Sequence, residues 1–343
     1  MNPIRVLVVE DSLVFRELLV QNLNKNPDIE VVATAGDPYE ARDAIVEYKP
    51  DVMTLDVELP RMSGIEFLRK LMPQYPIPVI VISALSDAVF DALNAGAVDF
   101  VAKPVVTNRM QMGEFIQKDL PGKIKIAATA RVSRRRRVQQ TPVSPNSCTK
   151  GNSDLLIAIG ASTGGTEAIA AVIKEFGTDI PGVVVVQHMP QGFTQMYANR
   201  LDSQCRVHVK EAKTGDIVKA GHVLIAPGGD AHMQIVKMNG VYQIVCKPGR
   251  KVNGHCPSVD VLFQSVADVA KDRAVGIILT GMGGDGAKGL LAMKNAGAKT
   301  IGQDETTCVV YGMPKVAYEI GAVDYQEKLT DIPRRTYQLL NKM

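Results

Sequence analysis

Cysteine is scarce in this chain and follows no pattern. Cys148, Cys205, Cys246, Cys256 and Cys308 are odd in number, widely spaced and free of any C-x-x-C pair. Such spacing argues against a disulfide framework or a thiolate zinc site, and it fits a reducing cytoplasm. No apolar run approaches the roughly 20 residues that span a bilayer. Met1-Asn-Pro-Ile-Arg5 leads straight into a strand pattern and lacks the features of a signal peptide. No repeat of fixed period is present. A marked excess of positive charge is also missing from most of the chain. Residues 1–118 hold 11 Lys/Arg against 17 Asp/Glu, a net −6, and residues 151–343 hold 20 against 18, a net +2. Only residues 119–150, with 8 against 1, are basic. A nucleic-acid-binding domain spreads its basic residues over a folded face, so this distribution argues against that class.

What is present is enough for two folded domains: 343 residues, 46% of them hydrophobic, allow two cores of ordinary size. The basic segment separates them. It contains Arg131, the run Arg134–Arg137, Pro142 and Pro145, and few large apolar side chains. Such a segment cannot bury enough surface to offset its ordering entropy. The expected organisation is a first domain over 1–118, a flexible basic linker over 119–150 and a second domain over 151–343. The arginine run reads as part of a solvated tether, with docking to an acidic partner or anionic lipid headgroups as the alternative.

In the first domain, apolar strands at Ile4–Val9, Val31–Thr34, Val52–Leu55, Val79–Ser83 and Val98–Val101 alternate with helical stretches. The helices are expected near 12–24, 38–48, 64–72, 86–94 and 109–118. Val14, Leu18 and Leu19 fall at helical spacing in the first of them, and Asp11 or Ser12 can cap its start. Strand–helix alternation of this kind gives a doubly wound parallel α/β sheet. The second domain starts another such series, with strands at Leu155–Ile159, Val183–Val186, Val223–Ala226 and Val275–Leu279. An antiparallel hairpin around Asn239-Gly240 interrupts it.

In a parallel sheet, strand ends converge on one edge. Glu10 and Asp11 end the first strand, Asp56 the third, Ser83 the fourth and Lys103 the fifth. Three carboxylates there repel one another and suit a hard divalent cation such as Mg²⁺, while Lys103 and Ser83 can meet a phosphoryl group. A carboxylate in that setting can attack a phosphoryl donor. With Phe100 and Pro104, these residues resemble the motif of the response-regulator receiver family. The resemblance implies that Asp56 is the phosphoacceptor, that Glu10, Asp11 and Asp56 bind Mg²⁺, and that Lys103 contacts the phosphoryl group. It also implies that Ser83 and Phe100 rearrange on phosphorylation.

In the second domain an apolar run ends in Gly160-Ala-Ser162-Thr-Gly164. Glycines on either side of a serine allow a turn that presents its hydroxyl at a strand end, although a glycine-rich turn also cradles phosphate. Ser162 needs a base. His188 closes the run Val183–Gln187 at the same edge. His208 sits on a solvated strand face and His222 at the opposite strand end, while His232 and His255 stay open. Asp285, in Thr280-Gly-Met-Gly-Gly-Asp-Gly286, either orients that histidine or caps the helix that follows. Backbone N–H groups near Met282 can stabilise an oxyanion.

These motifs, with Gln187-His-Met-Pro190, Gly192-Phe-Thr194, Ala226-Pro-Gly228 and Pro257-Ser-Val-Asp-Val-Leu-Phe263, are similar to those of the chemotaxis protein-glutamate methylesterase family. The resemblance spans nearly the whole chain. It implies Ser162, His188 and Asp285 as a catalytic triad, supported by Thr163 and Met282, with no metal at this second site. The implied activity is phosphorylation-controlled hydrolysis of glutamate methyl esters on methyl-accepting chemotaxis receptors, with deamidation of receptor glutamines. A chemotaxis histidine kinase would be the phosphodonor and the cytoplasm the location. Cys256 stands where the family pattern leads one to expect arginine, which bears on substrate recognition. Two rival readings are a nucleotide-sensing module, which lacks the lysine of a P-loop, and a non-catalytic adaptor.

Overall fold

The computed structural model describes residues 2–84, 87–103, 109–132 and 154–343. The chain divides into two compact units, Met1–Val138 and Gln139–Met343.

The first unit is a parallel sheet of β1 (Ile4–Val9), β2 (Ile29–Ala35), β3 (Val52–Asp56), β4 (Val79–Ser83) and β5 (Asp99–Ala102), in the order β2-β1-β3-β4-β5. Helices α1 (Leu13–Leu23), α2 (Pro38–Tyr48), α3 (Gly64–Leu71), α4 (Ala88–Ala95) and α5 (Arg109–Ala128) connect and follow the strands. Every residue of β3 and β4 is buried. Helices on both faces explain why these strands read as unbroken apolar runs. Strand order reverses between β1 and β3, so the residues that follow them face one crevice.

Two details depart from expectation. Ser12 caps α1 by accepting the Phe15 N–H at 3.4 Å, but the buried face is Phe15, Leu18, Leu19, Asn22 and Leu23, while Val14 is 65% exposed. Helix α5 runs past Lys118 to Ala128, with Pro121 inside it, so the first residues assigned to the linker are helical. Ile116, Leu120, Ile124 and Ala127 recur at helical spacing and are buried, which carries the helix through. Residues 133–153, including Arg134–Arg137 and most of the expected linker, lie outside the described residues.

The second unit holds β6 (Leu156–Ala161), β7 (Gly182–Gln187), β8 (His208–Glu211), β9 (His222–Ile225), β10 (Ala231–Met238), β11 (Val241–Pro248), β12 (Ala274–Ile278), β13 (Lys299–Gln303) and β14 (Tyr325–Glu327). Its helices are α6 (Gly165–Ile173), α7 (Phe193–Gln204), α8 (Val259–Ala270), α9 (Ala287–Asn295), α10 (Met313–Glu319) and α11 (Ile332–Leu340). Seven strands form a parallel sheet, β14-β13-β12-β6-β7-β9-β8. Strands β10 and β11 pair antiparallel, and Asn239 and Gly240 turn between them at φ 50° and 81°, as a type I′ hairpin requires. The expected fold class, two doubly wound α/β sheets with one hairpin, is the observed one. Helix α8 packs on β6, β10, β12 and α9. It buries Val259, Leu262, Phe263 and Val266, each contributing about 1.5–3 kcal/mol by leaving water.

Candidate active site

Strand β6 lies between β12 and β7, with Gly160 beside Ile278 and Ala161 beside Gln187. Residues just past these three strands therefore share one edge. Ser162 leaves β6 there. Its N–H donates to the Thr280 carbonyl at 3.0 Å, while its own carbonyl accepts from Gly165 N at 2.7 Å and Gln187 Nε2 at 2.9 Å. These bonds close a tight turn into α6. Gly164 makes the turn possible: its φ is 75°, and a Cβ there would lie 2.7 Å from Val309. Gly160 acts differently. It sits inside β6, where a Cβ would come within 2.1 Å of Val259 Cγ1, so its smallness admits α8 and does not form the turn. The phosphate-cradle alternative loses that glycine from its loop.

His188 follows β7 directly, and its N–H bonds the Ala161 carbonyl at 3.2 Å, setting it beside Ser162. The ring is buried. Nε2 lies 2.8 Å from Asp285 Oδ2, while Nδ1 has no hydrogen-bond partner among the described residues. Nδ1 is thus the ring nitrogen left to exchange a proton. Asp285 is 1% exposed and also accepts from Ser258 Oγ at 2.7 Å, Asn253 Nδ2 at 2.9 Å, Val259 N at 2.7 Å and Asp260 N at 3.2 Å. The last two N–H groups open α8, where a negative charge is favoured. The option of Asp285 capping the next helix is not realised: Gly286 occupies that position on α9. Burial pushes the Asp285 carboxyl upward, but hydrogen bonds from His188, Asn253 and Ser258 and the His188 charge prevail and hold it well below the ordinary carboxylate range.

Thr163 is buried, and its carbonyl accepts the Thr280 hydroxyl at 3.0 Å. Met282 is 43% exposed on a loop anchored by Gly281, whose N–H reaches the Val310 carbonyl and whose carbonyl takes the Met313 N–H at 2.8 Å. Of the histidines left open, His255 stacks flat on His188, with centroids 3.7 Å apart and planes 9° apart. His232 is buried, bonding Arg250 O through Nε2 and accepting Ser258 N–H at Nδ1. His208 is exposed and His222 begins β9, both as expected.

The first unit carries a second constellation. Glu10 and Asp56 are buried at the ends of β1 and β3, and Lys103 Nζ lies 3.0 Å from Glu10 Oε2 and 2.5 Å from Asp56 Oδ2. Burial, then the nearby Asp56 charge, raises Glu10 to about 7 in spite of Lys103. Burial lowers Lys103, yet its bonds and charge contacts with Asp56 and Glu10 outweigh that and raise it. Ligand atoms of Glu10, Asp11 and Asp56 all lie within 4.8 Å of one another. This donor set is all oxygen and mutually repulsive, which suits a hard divalent cation. Ser83 and Phe100 are both buried, and Ser83's carbonyl accepts the Lys103 N–H at 2.7 Å.

Comparison with known proteins identifies the family of each unit. Residues 157–336 match the CheB methylesterase family and residues 6–112 the response regulator receiver domain. A protein-glutamate methylesterase/protein-glutamine glutaminase of Syntrophomonas wolfei is 60% identical over 99% of this chain and 98% of its own length. The chain belongs to the CheB methylesterase family. A Salmonella typhi relative of the same description is 46% identical over the full chain and 98% of its own length. The crystal structure of the Thermotoga maritima CheB methylesterase catalytic domain superposes with a TM-score of 0.53 at 41% identity, covering 54% of this chain and 98% of that one.

Within the CheB fold the sheet edge brings together Ser162, His188, Asp285, Thr163 and the Met282 loop, all named from sequence. The supporting groups Gln187, Asn253, His255, Ser258 and Thr280 were not assigned roles in advance. Asn253-Gly254 carries a turn signal, and Ser258 precedes an apolar helical stretch, but nothing local says what either one touches. Cys256 is half-buried, its Sγ 4.0 Å from the Gly249 carbonyl, and burial pushes its thiol upward.

Proposed function

We propose that this protein hydrolyses glutamate methyl esters on methyl-accepting chemotaxis receptors in the cytoplasm, using Ser162, His188 and Asp285. The observation that carries the reading is that Ser162 and His188 stand on adjacent strand ends while Asp285 holds His188 Nε2 at 2.8 Å. Ser162 Oγ attacks the ester carbonyl and His188 Nδ1 takes its proton. Asp285, ionised in its bed of donors, stabilises the imidazolium. Backbone N–H groups at the start of α6 and around Met282 face the oxyanion, with Thr163 as support. His188 then protonates the methoxy oxygen, methanol leaves, and an ester joins the substrate acyl group to Ser162. Water attacks that ester as His188 accepts its proton. Ser162 recovers its hydrogen, and the product is a glutamate side chain. On a glutamine the leaving group is ammonia. No step requires a metal.

The first unit regulates this chemistry. Asp56 accepts a phosphoryl group from a histidine kinase, and Lys103 bonds the incoming oxygens, with Ser83 and Phe100 adjusting around them. Glu10, Asp11 and Asp56 would hold Mg²⁺, which neutralises their charge and screens the phosphoryl group. The receiver extends through α5 to Ala128, the linker ends near 150 and the esterase follows. Phosphorylation of Asp56 raises esterase turnover.

Methanol release from receptor membranes methylated at glutamate, compared between wild type and Ser162→Ala, tests the reading. Release that collapses in the variant supports it. Equal release from both proteins moves the nucleophile elsewhere.

A further inference from the structure

One turn touches both partners of the His188–Asp285 pair. Val252 and His255 exchange backbone hydrogen bonds at 3.0 and 2.9 Å, and Asn253 and Gly254 between them have φ of 52° and 84°. This is a two-residue turn of the type that asparagine-glycine favours. From its tip, the Asn253 amide donates to Asp285 Oδ1 at 2.9 Å and to Asp260 Oδ2 at 2.7 Å. From its far end, the His255 ring lies parallel to His188 at 3.7 Å.

Among the described residues the His188 ring has one side-chain hydrogen bond, from Nε2 to Asp285. A single bond fixes the position of an imidazole but leaves its plane free to swing about that contact. Nδ1 must nevertheless aim first at the Ser162 hydroxyl and then at a leaving oxygen. A flat surface in van der Waals contact removes that freedom.

We propose that the Val252–His255 turn is a positioning clamp on the catalytic pair, with Asn253 holding the carboxylate and the flat face of His255 holding the plane of His188. The proposal rests on the triad reading above. His255 acts here through His188 and does not itself exchange a proton with substrate.

The test uses the full-length protein and the methanol-release assay, comparing His255→Leu with His255→Phe. Both fill the space, but only phenylalanine keeps a flat face. His255→Leu is expected to lower kcat about 10- to 100-fold, the cost of a misaligned reacting group, with KM little changed. His255→Phe is expected to restore most of that loss. Asn253→Ala is expected to lower kcat in the same way, and the His255→Leu/Asn253→Ala pair to fall short of the product of the single effects, because both act on one unit. Equal kcat for the leucine and phenylalanine variants, whether both fast or both slow, overturns the clamp. Should the leucine variant fail to fold, the phenylalanine and Asn253→Ala variants decide it: a slow phenylalanine variant, or a fast Asn253→Ala, contradicts the proposal. Ser162→Ala in the same assay separates the two failures, since its retained turnover would sink the triad whatever His255 does.

Discussion

Asp285 meets His188 Nε2 through Oδ2 at 2.8 Å, an oxygen that also accepts the Val259 N–H, while Ser258, Asn253 and the Asp260 N–H donate to Oδ1. The helix that binds Asp285 is the one whose approach Gly160 permits. Chemistry at this edge thus depends on packing beneath it.

Replacing Asp285 by asparagine keeps the shape but removes the charge that stabilises the imidazolium in the proposed mechanism. In methanol-release kinetics Asp285→Asn is expected to lose about 10³–10⁴-fold in kcat, the scale seen when a triad acid is neutralised. KM should change little.

The same carboxyl gives a pH signature in stability. Its folded value lies below the ordinary 3.8, so its contribution is fully present above that value and is lost as pH falls towards the folded one. The difference in unfolding free energy between wild type and Asp285→Asn, from urea titrations, should be constant from pH 7 down to about 5 and shrink below about 4. A difference that grew on acidification would contradict the assigned hydrogen bonds.

Gly160→Ala places a methyl against Val259 Cγ1, in a strand whose residues are all buried. Overpacking of this kind costs about 1–3 kcal/mol. Because Val259 N is a donor to Asp285, the variant should lose activity as well as stability, in contrast to Gly240→Ala, where a Cβ meets nothing within 4 Å but faces a positive φ. Thermal melting and turnover on both proteins check this.

In the first unit, Lys103→Ala strands the buried Glu10 and Asp56 without their cation. Removing one partner from a buried ionic group costs about 3–5 kcal/mol. Urea unfolding of the variant is expected to show a loss of this order in EDTA and partial recovery in Mg²⁺. Equal stability with and without Mg²⁺ would count against a cation at Glu10, Asp11 and Asp56.

Much of this was legible in the sequence because buried parallel strands are written as short apolar runs ending in chemistry-bearing residues: Asp56 after Val52–Leu55, Ser162 after Leu155–Ile159, His188 after Val183–Gln187. Less visible was the end of α5. The basic composition and the scarcity of large apolar side chains suggested a linker from residue 119, whereas Ile116, Leu120 and Ile124 carry the helix on by burial. Long-range contacts were not legible either. Asn253 reaches Asp285 across 32 positions and Ser258 across 27, and no local pattern encodes such partners. Glycine roles were partly misread for the same reason, since Gly160 answers to Val259, far away in the chain.

The central assignment is Ser162 as nucleophile, and it is most directly tested by labelling the full-length protein with a fluorophosphonate and mapping the adduct by peptide mass spectrometry. A single adduct on Ser162, abolished in His188→Ala, is the expected result. An adduct on another residue, or none from protein that releases methanol, would contradict it.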